Sequence, residues 1–366
     1  MPAERPPVLT ASVHDLRYIA ALLRGVNFHK RATVTVAKQG MTVKVEEART
    51  ITATAWVFAD IFDEYVYNPE NTLDGDVMQT SQEEEIESSS FEMPLNTVLD
   101  CLNIFGTAAS STGSGSGGGG KKGWKRQAQD SDRDSGDENE GNRIEPLNPN
   151  ASEKHTGMRL TYMGPGAEDA TGPTTTCEIA TYEPEPYLDF GFDPDNQVLK
   201  IILKSSWFRD ALSELDPSYD KLTFISNPPE TSENPTTGRN RNQTQTKPIL
   251  RIKAGGNFGS TEMDYPNDRD VLESFECTQS VSFSYRFSHI AKSLRAVQSS
   301  TKTSLRIDND GLLSLQFMMP PPKGKEDDGE SSAAYIDFQV SPNFPPWIER
   351  LFLSLGECLA LDDEII

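Results

Sequence analysis

The sequence has few cysteines, and none of them stands in a metal-binding pattern. Its four cysteines lie far apart and form no C-x-x-C pair, so a structural zinc site is not expected. The low count favours a reducing compartment over the secreted, disulfide-rich class of proteins. The four histidines are scattered as well, and no H-E-x-x-H spacing occurs among them. Neither residue type therefore predicts a metal centre.

Long hydrophobic runs are also absent. Residues Met1–Leu9 contain no apolar segment of the kind found in secretory leaders. No stretch approaches the roughly 18 consecutive apolar residues that suggest a membrane-spanning helix. We therefore expect a soluble, intracellular protein without a membrane partner.

Catalytic motifs are missing as well, and no G-x-S-x-G nucleophile motif occurs. Gly115–Lys122 resembles a phosphate-binding loop, but Lys122 stands where Ser or Thr would hold magnesium. Asp189, Asp193 and Asp195 could bind a nuclease metal in principle, yet their proline-rich context predicts a solvated loop. The sequence therefore predicts no enzyme, no cofactor and no bound metal.

The composition indicates that part of the chain is not packed. The net charge is −22, and apolar residues make up 36% of the 366 residues, which is low for one packed globule. The clearest candidate is segment 107–157, where a Gly/Ser run leads through Lys121–Arg126 into acidic and polar residues, a composition typical of disorder. Strand-like residues resume at Met158–Met163 and Thr174–Tyr182. We therefore interpret this segment as an insertion within a first domain.

One pattern occurs twice: a short amphipathic helix followed by a meander of short strands. In the first copy, apolar residues recur at helical spacing from Val13 to Leu23, and Ser12 with Asp15 predicts a capping box. The strands predicted after this helix are Thr33–Ala37, Met41–Glu46, Ile51–Ala59 and Glu64–Asn68.

The second copy lies late in the chain. A helical stripe from Phe287 to Val297 precedes strands Thr303–Asp308 and Leu312–Met318, which the turn Asn309-Asp310-Gly311 joins. Two further helices are predicted at Pro94–Phe105 and Ser206–Leu215, which makes four helices amid about sixteen strands. The domains predicted from these patterns are residues 1–182 and 197–341, with a connector at 183–196 and a helical tail at 342–366.

The polar faces of the predicted helices carry an uneven charge. Arg17 and Arg24 share one face of the first helix, and Lys292 and Arg295 share one face of the last. Helix Pro94–Phe105 has no basic residue on its polar face, and in the remaining helix Arg209 stands beside acidic residues. Either these are ordinary solvated faces, or the protein has a nucleic-acid surface concentrated near both ends of the chain.

Two strings in the sequence resemble one known family. The first comprises Leu22–Phe28, Ala32-Thr33, Gly40–Val43 and Ile61–Tyr65, and the second is Ser304–Phe317. Together they resemble the Rad-one subunit of the checkpoint sliding clamp, across both predicted domains. The insertion, the long loops and the tail after Pro342 depart from the family pattern.

The resemblance implies an α+β fold like that of PCNA, with two similar domains that each place two helices inward and an antiparallel sheet outward. Three such subunits form a ring around duplex DNA, without sequence preference. The implied partners are Rad-nine-like and Hus-one-like subunits, a dedicated clamp loader, and repair and checkpoint proteins. The implied role is a nuclear, non-catalytic platform for checkpoint kinase signalling and DNA repair.

The resemblance also suggests site residues. The DNA-facing set is Arg17, Arg24, Lys30, Arg31, Arg209, Lys292 and Arg295. The subunit edges are Thr176, Cys177, Glu178, Ile179, Ala180, Thr181 and Tyr182 in the first domain, and Gly259, Ser260, Thr261, Glu262, Met263 and Asp264 in the second. A pocket for client peptides is expected at Tyr187, Leu188 and Phe190, which could instead be ordinary core residues.

Three regulatory features are hypotheses at this point. Ser81 precedes Gln82 and a run of glutamates, and Ser131 and Ser135 lie among acidic residues, so each is a candidate phosphorylation site. Lys121–Arg126 is either an import signal or a solvated basic linker. The amphipathic stretch Trp347–Leu355 could fold back on the clamp or dock on a neighbour.

Two other functions remain as alternatives. One is a homotrimeric replication clamp, against which the string Ser304–Phe317 and the long insertions argue. The other is a DNA 3′–5′ exonuclease, an activity that needs clustered carboxylates to hold metal ions. The segments predicted to be ordered show no such cluster.

Overall fold

The computed structural model describes residues 7–69, 88–110, 157–163, 174–187, 189–228, 249–266, 268–321 and 333–342, with side chains left out at 106–110. These residues form seventeen strands and five α-helices. The insertion beyond Ser110, the tail after Pro342, Leu188, Lys121–Arg126 and the three candidate phosphorylation sites lie outside the described residues. The predicted domain limits therefore remain predictions.

The N-terminal half contains eight strands and two helices among its described residues. Their bounds are β1 (Leu9–Ser12), α1 (Leu16–Gly25), β2 (Arg31–Ala37), β3 (Gly40–Glu47), β4 (Ile51–Phe58), β5 (Glu64–Tyr67), β6 (Ser88–Pro94), α2 (Leu95–Ser110), β7 (Gly157–Met163) and β8 (Thr174–Ala180).

The C-terminal half repeats this order with one strand more and with its second helix in two pieces. The bounds are β9 (Gln197–Lys204), α3 (Ser205–Ser213), β10 (Lys221–Ser226), β11 (Leu250–Gly256), β12 (Gly259–Tyr265), β13 (Leu272–Cys277), β14 (Val281–Arg286), α4 (Phe287–Ala291), α5 (Leu294–Ser299), β15 (Lys302–Asp308), β16 (Leu313–Met318) and β17 (Tyr335–Val340).

The two halves share one sheet of nine antiparallel strands, in the order β13-β9-β15-β16-β17-β4-β3-β2-β6. The halves meet where β17 pairs with β4, from Tyr335 opposite Trp56 to Val340 opposite Ile51. One side of these strands is fully buried, with Ile336, Phe338 and Val340 at 0% exposure. A second sheet has the order β12-β11-β10-β14, which matches β4-β3-β2-β6 in the first half. The repeat predicted from the sequence is therefore present in the strand order.

The helices lie side by side. Helix α1 packs against α2 on one side and against α5 on the other, and α5 packs against α3. The close approach depends on Gly25, because a Cβ there would overlap Cδ1 of Ile336 and lie 3.5 Å from the Ala296 Cβ. The order across the row is thus α2, α1, α5, α3.

The start of α1 differs from the prediction. Asp15, not Ser12, caps the helix, and its Oδ1 accepts a hydrogen bond of 3.0 Å from the Arg17 backbone N–H. Ser12 is the last residue of β1 and pairs with Glu64 of β5. The predicted capping box was therefore wrong, because Ser12 already belongs to the β1–β5 ladder.

The late helix also differs, since it is two short helices and not one. Ser293, which is fully buried between them, donates its hydroxyl to the Ile290 carbonyl at 2.7 Å. The backbone N–H groups of Lys292 and Ser293 bond three residues back, to His289 and Ile290. A serine side chain that bonds a nearby carbonyl competes with the helical ladder, which accounts for the break.

Two further helix predictions need correction. The helical spacing within Ser206–Leu215 predicts Trp207 on the apolar face with Phe208 and Leu212, but the Trp207 side chain is 45% exposed, while Phe208 and Leu212 are buried. Helix α2 continues to Ser110, and so runs into the segment predicted to be a disordered insertion from residue 107 onward.

The end of the first half departs from the repeat. Strands β7 and β8 pair with each other as a two-stranded sheet, whereas β15, β16 and β17 form a three-stranded meander. An isolated bridge between Glu92 and Tyr182 connects the chain just after β8 to β6. Within the described residues, the first half therefore has one strand fewer at this position.

Candidate nucleic-acid interface and subunit edges

The middle of the helix row exposes three arginines. Arg17 and Arg24 lie on the exposed side of α1, and Arg295 lies on the exposed side of α5. The guanidinium of Arg17 also bonds Asp15 at 2.8 Å, which raises the pKa of Arg17. Arg24 donates a hydrogen bond to the Asn103 side chain of α2. Arg295 donates a hydrogen bond to the Asn27 carbonyl at 3.2 Å. None of the ion pairs found among the described residues includes Arg295.

Lys292 is held differently from these arginines. Its ammonium forms an ion pair with Glu47, the last residue of β3, and lies 5.3 Å from the centre of the Phe28 ring. Only 22% of its side chain is exposed. The positive charge of Lys292 is thus largely paired within the chain, and this ion pair connects the two halves.

The other three predicted DNA-facing residues lie near the ends of the helices or in ion pairs. Arg31 begins β2, pairs with Glu92 at 3.2 Å and lies 4.5 Å from the centre of the Tyr182 ring. Lys30 is exposed, and its carbonyl accepts a hydrogen bond from Leu95 at the start of α2. Arg209 of α3 pairs with its neighbour Asp210 at 2.9 Å.

The two outer helices supply negative charge. Asp100 is exposed on α2, and Asp210 is exposed on α3, with Glu214 exposed just after its end. The row is therefore basic along α1 and α5 and neutral to acidic along α2 and α3. This is the uneven charge that the helix faces of the sequence indicated.

The sequence patterns did not predict one basic pair. Lys221 of β10 and Arg286 of β14 face each other across two strands, and both line a cavity of about 750 Å³ with Ser218 and Ser288. Like charges directly opposite on paired strands normally destabilise a sheet. No helical spacing relates these two residues, so only the strand pairing reveals them.

A buried histidine on α4 was not predicted from its spacing in the sequence either. His289 of α4 is buried, and burial lowers its pKa below the usual 6.5. The nearby cations Lys292 and Arg286 lower the pKa further, and Glu47 acts in the opposite direction.

The predicted edge of the second half is an edge strand. Strand β12 pairs with β11 on one side and is the last strand of its sheet among the described residues. Its acidic residues are matched across the pair, since Arg251 bonds Asp264 at 2.6 Å and Lys253 bonds Glu262 at 2.7 Å. The pKa of Glu262 is lowered mainly by the hydrogen bond from Lys253. The acidic side chains of β12 are therefore already paired with basic side chains of β11, next to the outer backbone groups of β12.

The predicted edge of the first half is more complicated. Strand β8 pairs with β7 on one side, and Glu178 bonds Arg159 across that pair at 3.0 Å. Beyond β8, Tyr182 exchanges two backbone hydrogen bonds with Glu92, so its own backbone is already paired.

Burial raises the pKa of Cys101 to about 11, with a smaller effect from its hydrogen-bonded neighbour Cys177 on β8. The Cys101 thiol therefore stays protonated at neutral pH.

The connector crosses the outer face of the nine-stranded sheet. The ring of Tyr187 lies 3.7 Å from the Lys44 ammonium of β3, and the ring of Phe192 lies 4.9 Å from the Arg306 guanidinium of β15. Burial lowers the pKa of Lys44. Tyr187 is 48% exposed, so it is not a core residue, whereas Phe190 is half-buried.

The described residues contain no group of three His, Cys, Asp or Glu side chains arranged for a metal ion. Two of the three connector aspartates bond the local backbone, since Asp189 accepts from the Gly191 N–H and Asp193 from the Asp195 N–H. No helix in the described part of the chain is long and apolar enough to cross a membrane.

A repeated sheet, a row of four helical segments and an edge strand with one open side among the described residues define the PCNA-like fold class. The fold matches the crystal structure of PCNA from Thermococcus kodakaraensis with a TM-score of 0.54 at 12% identity, over 92% of this chain and 100% of that one. This likeness confirms the predicted fold class. Residues 8–319 match the family model described as "Repair protein Rad1/Rec1/Rad17", and the chain belongs to this Rad1 family.

Named relatives agree with this assignment. The cell cycle checkpoint protein RAD1 of Mus musculus is 30% identical, over 92% of both chains. The DNA damage checkpoint control protein rad1 of Schizosaccharomyces pombe is 27% identical, over 89% of this chain and 84% of that protein. The relative named DNA repair exonuclease REC1, from Mycosarcoma maydis, is 26% identical over 85% of this chain and 88% of that protein. The resemblance to the Rad-one family found in the sequence is therefore confirmed.

Proposed function

We propose that this chain is the non-catalytic Rad-one subunit of a heterotrimeric ring that encircles duplex DNA at damage sites. Its neighbours are Rad-nine-like and Hus-one-like subunits, and a dedicated loader opens the ring. The assembled ring acts in the nucleus as a platform for checkpoint kinases and repair enzymes.

The observation that carries this proposal is the junction between β17 and β4. There the last strand of one half pairs with the edge strand of a second unit that has the same strand order. Strand β12 is the counterpart of β4 in the other half, and on the side away from β11 it has no partner among the described strands. An uncovered edge strand readily pairs with another chain. Continuing the β17–β4 arrangement from chain to chain is a simple way to satisfy this edge and build a ring.

The helix row supports DNA as the occupant of the ring. Arg17, Arg24 and Arg295 present positive charge at the centre of the row, although the whole chain has a net charge of −22. Attraction to phosphates needs no base contacts, which suits a ring that must slide. The acidic positions on α2 and α3 keep this attraction weak.

The first test is the mass of the purified chain in solution, alone and after mixing with Rad-nine-like and Hus-one-like subunits. We expect a monomer that becomes a 1:1:1 complex, as measured by light scattering. A stable homotrimer that ignores both partners would instead support a replication clamp.

A second test addresses DNA. The double variant Arg24→Glu with Arg295→Glu, assembled into the ring, should retain circular DNA less well, and the slope of log affinity against log salt should fall by up to about 1.8. The matched control is Lys38→Glu, at an exposed lysine in the turn between β2 and β3 that lies outside the helix row. Equal retention by wild type and double variant across the salt series would contradict the DNA-facing assignment.

The exonuclease alternative is kept because of the name of the Mycosarcoma maydis relative. The described residues offer no carboxylate cluster for a two-metal site, and the side chains of Asp189 and Asp193 bond the backbone. We therefore expect no release of nucleotides from 3′-labelled DNA with magnesium or manganese present. Cleavage that is lost in an Asp189→Asn, Asp193→Asn variant would favour the exonuclease.

A further inference from the structure

One apolar side chain is almost completely outside the protein. Phe258 lies at the tip of the hairpin between β11 and β12, and 93% of its surface is exposed. Single hydrophobic residues on a surface need no explanation in general. The position of Phe258 is what sets it apart, because it directly precedes β12, the open edge strand.

The hairpin holds Phe258 on a firm support. Gly256 pairs with Gly259, so Asn257 and Phe258 form a two-residue turn. Gly259 has φ +156°, a conformation that favours glycine. A Cβ on Gly256 would lie 3.1 Å from the Ser218 carbonyl oxygen, so this end of the hairpin rests against the loop after α3. An aromatic ring presented in this way loses little backbone freedom when it is buried.

The β3–β4 hairpin in the other half indicates where this turn would lie in an assembled ring. There, β4 is the edge strand that pairs with β17, and Val340 opposite Ile51 is the last pair. The ladder continues by one bond, since the Thr50 carbonyl accepts from the Ser341 N–H at 2.9 Å. In the repeated strand order, Gly259 corresponds to Ile51 and Phe258 to Thr50.

We propose, on the basis of the ring assembly proposed above, that Phe258 is an anchor for the adjoining subunit. By the β4–β17 arrangement, it reaches the point where the last strand of that subunit's first domain leads into its connector. The surface that receives Phe258 is an apolar or aromatic-lined pocket, because only such a surface removes the phenyl group from water favourably. Buried aromatic anchors at the centre of tight contacts carry much of the energy of protein interfaces.

The experiment compares ring assembly by wild type, Phe258→Ser and Phe258→Leu, measured as the concentration of this chain needed for half-maximal assembly with the two partner subunits. We expect an increase of about 10- to 100-fold for Phe258→Ser and a smaller one for Phe258→Leu. The melting temperature of the isolated chain should not change, because the Phe258 side chain is almost fully exposed in the isolated chain. Met318→Ser is the matched control, since Met318 is also exposed but lies on β16, between β15 and β17 in the interior of the nine-stranded sheet.

A photo-reactive phenylalanine analogue at position 258 tests the location. In the assembled ring it should crosslink to the end of the last domain-one strand of one partner. Assembly by Phe258→Ser at wild-type concentrations, or crosslinks to a different region, would overturn the anchor while leaving the ring intact. If wild-type protein does not assemble with the partners at all, the proposed function fails, and the anchor fails with it.

Discussion

At the scale of single residues, His289 couples stability to pH. Its pKa is lowered in the folded protein, so the folded state binds fewer protons than the unfolded state once the pH falls below about 6.5. Stability should therefore be fully present above this pH and be lost as the pH falls through the folded pKa. We expect the melting temperature of wild type to fall more between pH 7.5 and pH 5.5 than that of His289→Gln.

The control for this measurement is His14→Gln, because His14 is exposed just before α1. Carboxylates also titrate at the acid end, so the difference between each variant and wild type is the useful quantity. Parallel curves for wild type and His289→Gln would show that burial of this histidine has no consequence for stability.

Lys292 illustrates how a basic residue on a helix can have a structural role. We expect Lys292→Glu to lower the free energy of unfolding by up to about 1 kcal/mol, because it places a carboxylate beside Glu47. The charge-swapped pair Lys292→Glu with Glu47→Lys should recover part of that loss, as measured by urea denaturation. Failure of the swap to recover any stability, together with a clear loss of DNA retention, would favour a DNA-facing role instead.

At the scale of elements, the packing of α1 against β17 and α5 depends on one missing side chain. Gly25→Ala would place a methyl group against Cδ1 of Ile336, and such overpacking costs about 1 to 3 kcal/mol of unfolding free energy. Ile336→Val removes Cδ1, so the double variant Gly25→Ala with Ile336→Val should be more stable than the sum of the single changes predicts. Simple additivity in urea denaturation would mean that the helix moves away without strain.

Element positions followed from local patterns, and contacts between distant elements did not. Alternating residues were enough to locate β2, β3 and β4, since one face of each is buried. The break at Ser293 was missed because the apolar spacing from Phe287 to Val297 continues through it, while the hydroxyl bond to Ile290 is invisible in a periodicity.

The same limit applies to the candidate site. The spacing of Arg17 and Arg24 correctly predicted that both are exposed on one helix. The pairing of Lys292 with Glu47, and of Lys221 opposite Arg286, depends on which distant strands and turns meet. Those contacts are determined by which strands pair in the sheets, and no single segment of the sequence specifies that pairing.

At the scale of the whole molecule, the nine-stranded sheet should make the two halves unfold together. Phe338 lies at the junction, fully buried, with ring centres 5.9 Å from Phe28 and 5.8 Å from Phe317. It therefore packs against both halves at once. A shared core of this kind predicts one cooperative transition and not two separate domain transitions.

The test uses reporters in each half: variants that keep only Trp56 of β4, or only Trp207 of α3, should show the same urea midpoint. Phe338→Ala should then lower both midpoints equally, with a loss of about 3 to 5 kcal/mol, because the cavity opens in the shared core. Phe224→Ala is the matched control, since Phe224 is also fully buried but packs against Phe208 and Tyr285, within the C-terminal half. If Phe338→Ala separates the two midpoints, the pairing of β17 with β4 is a weak junction.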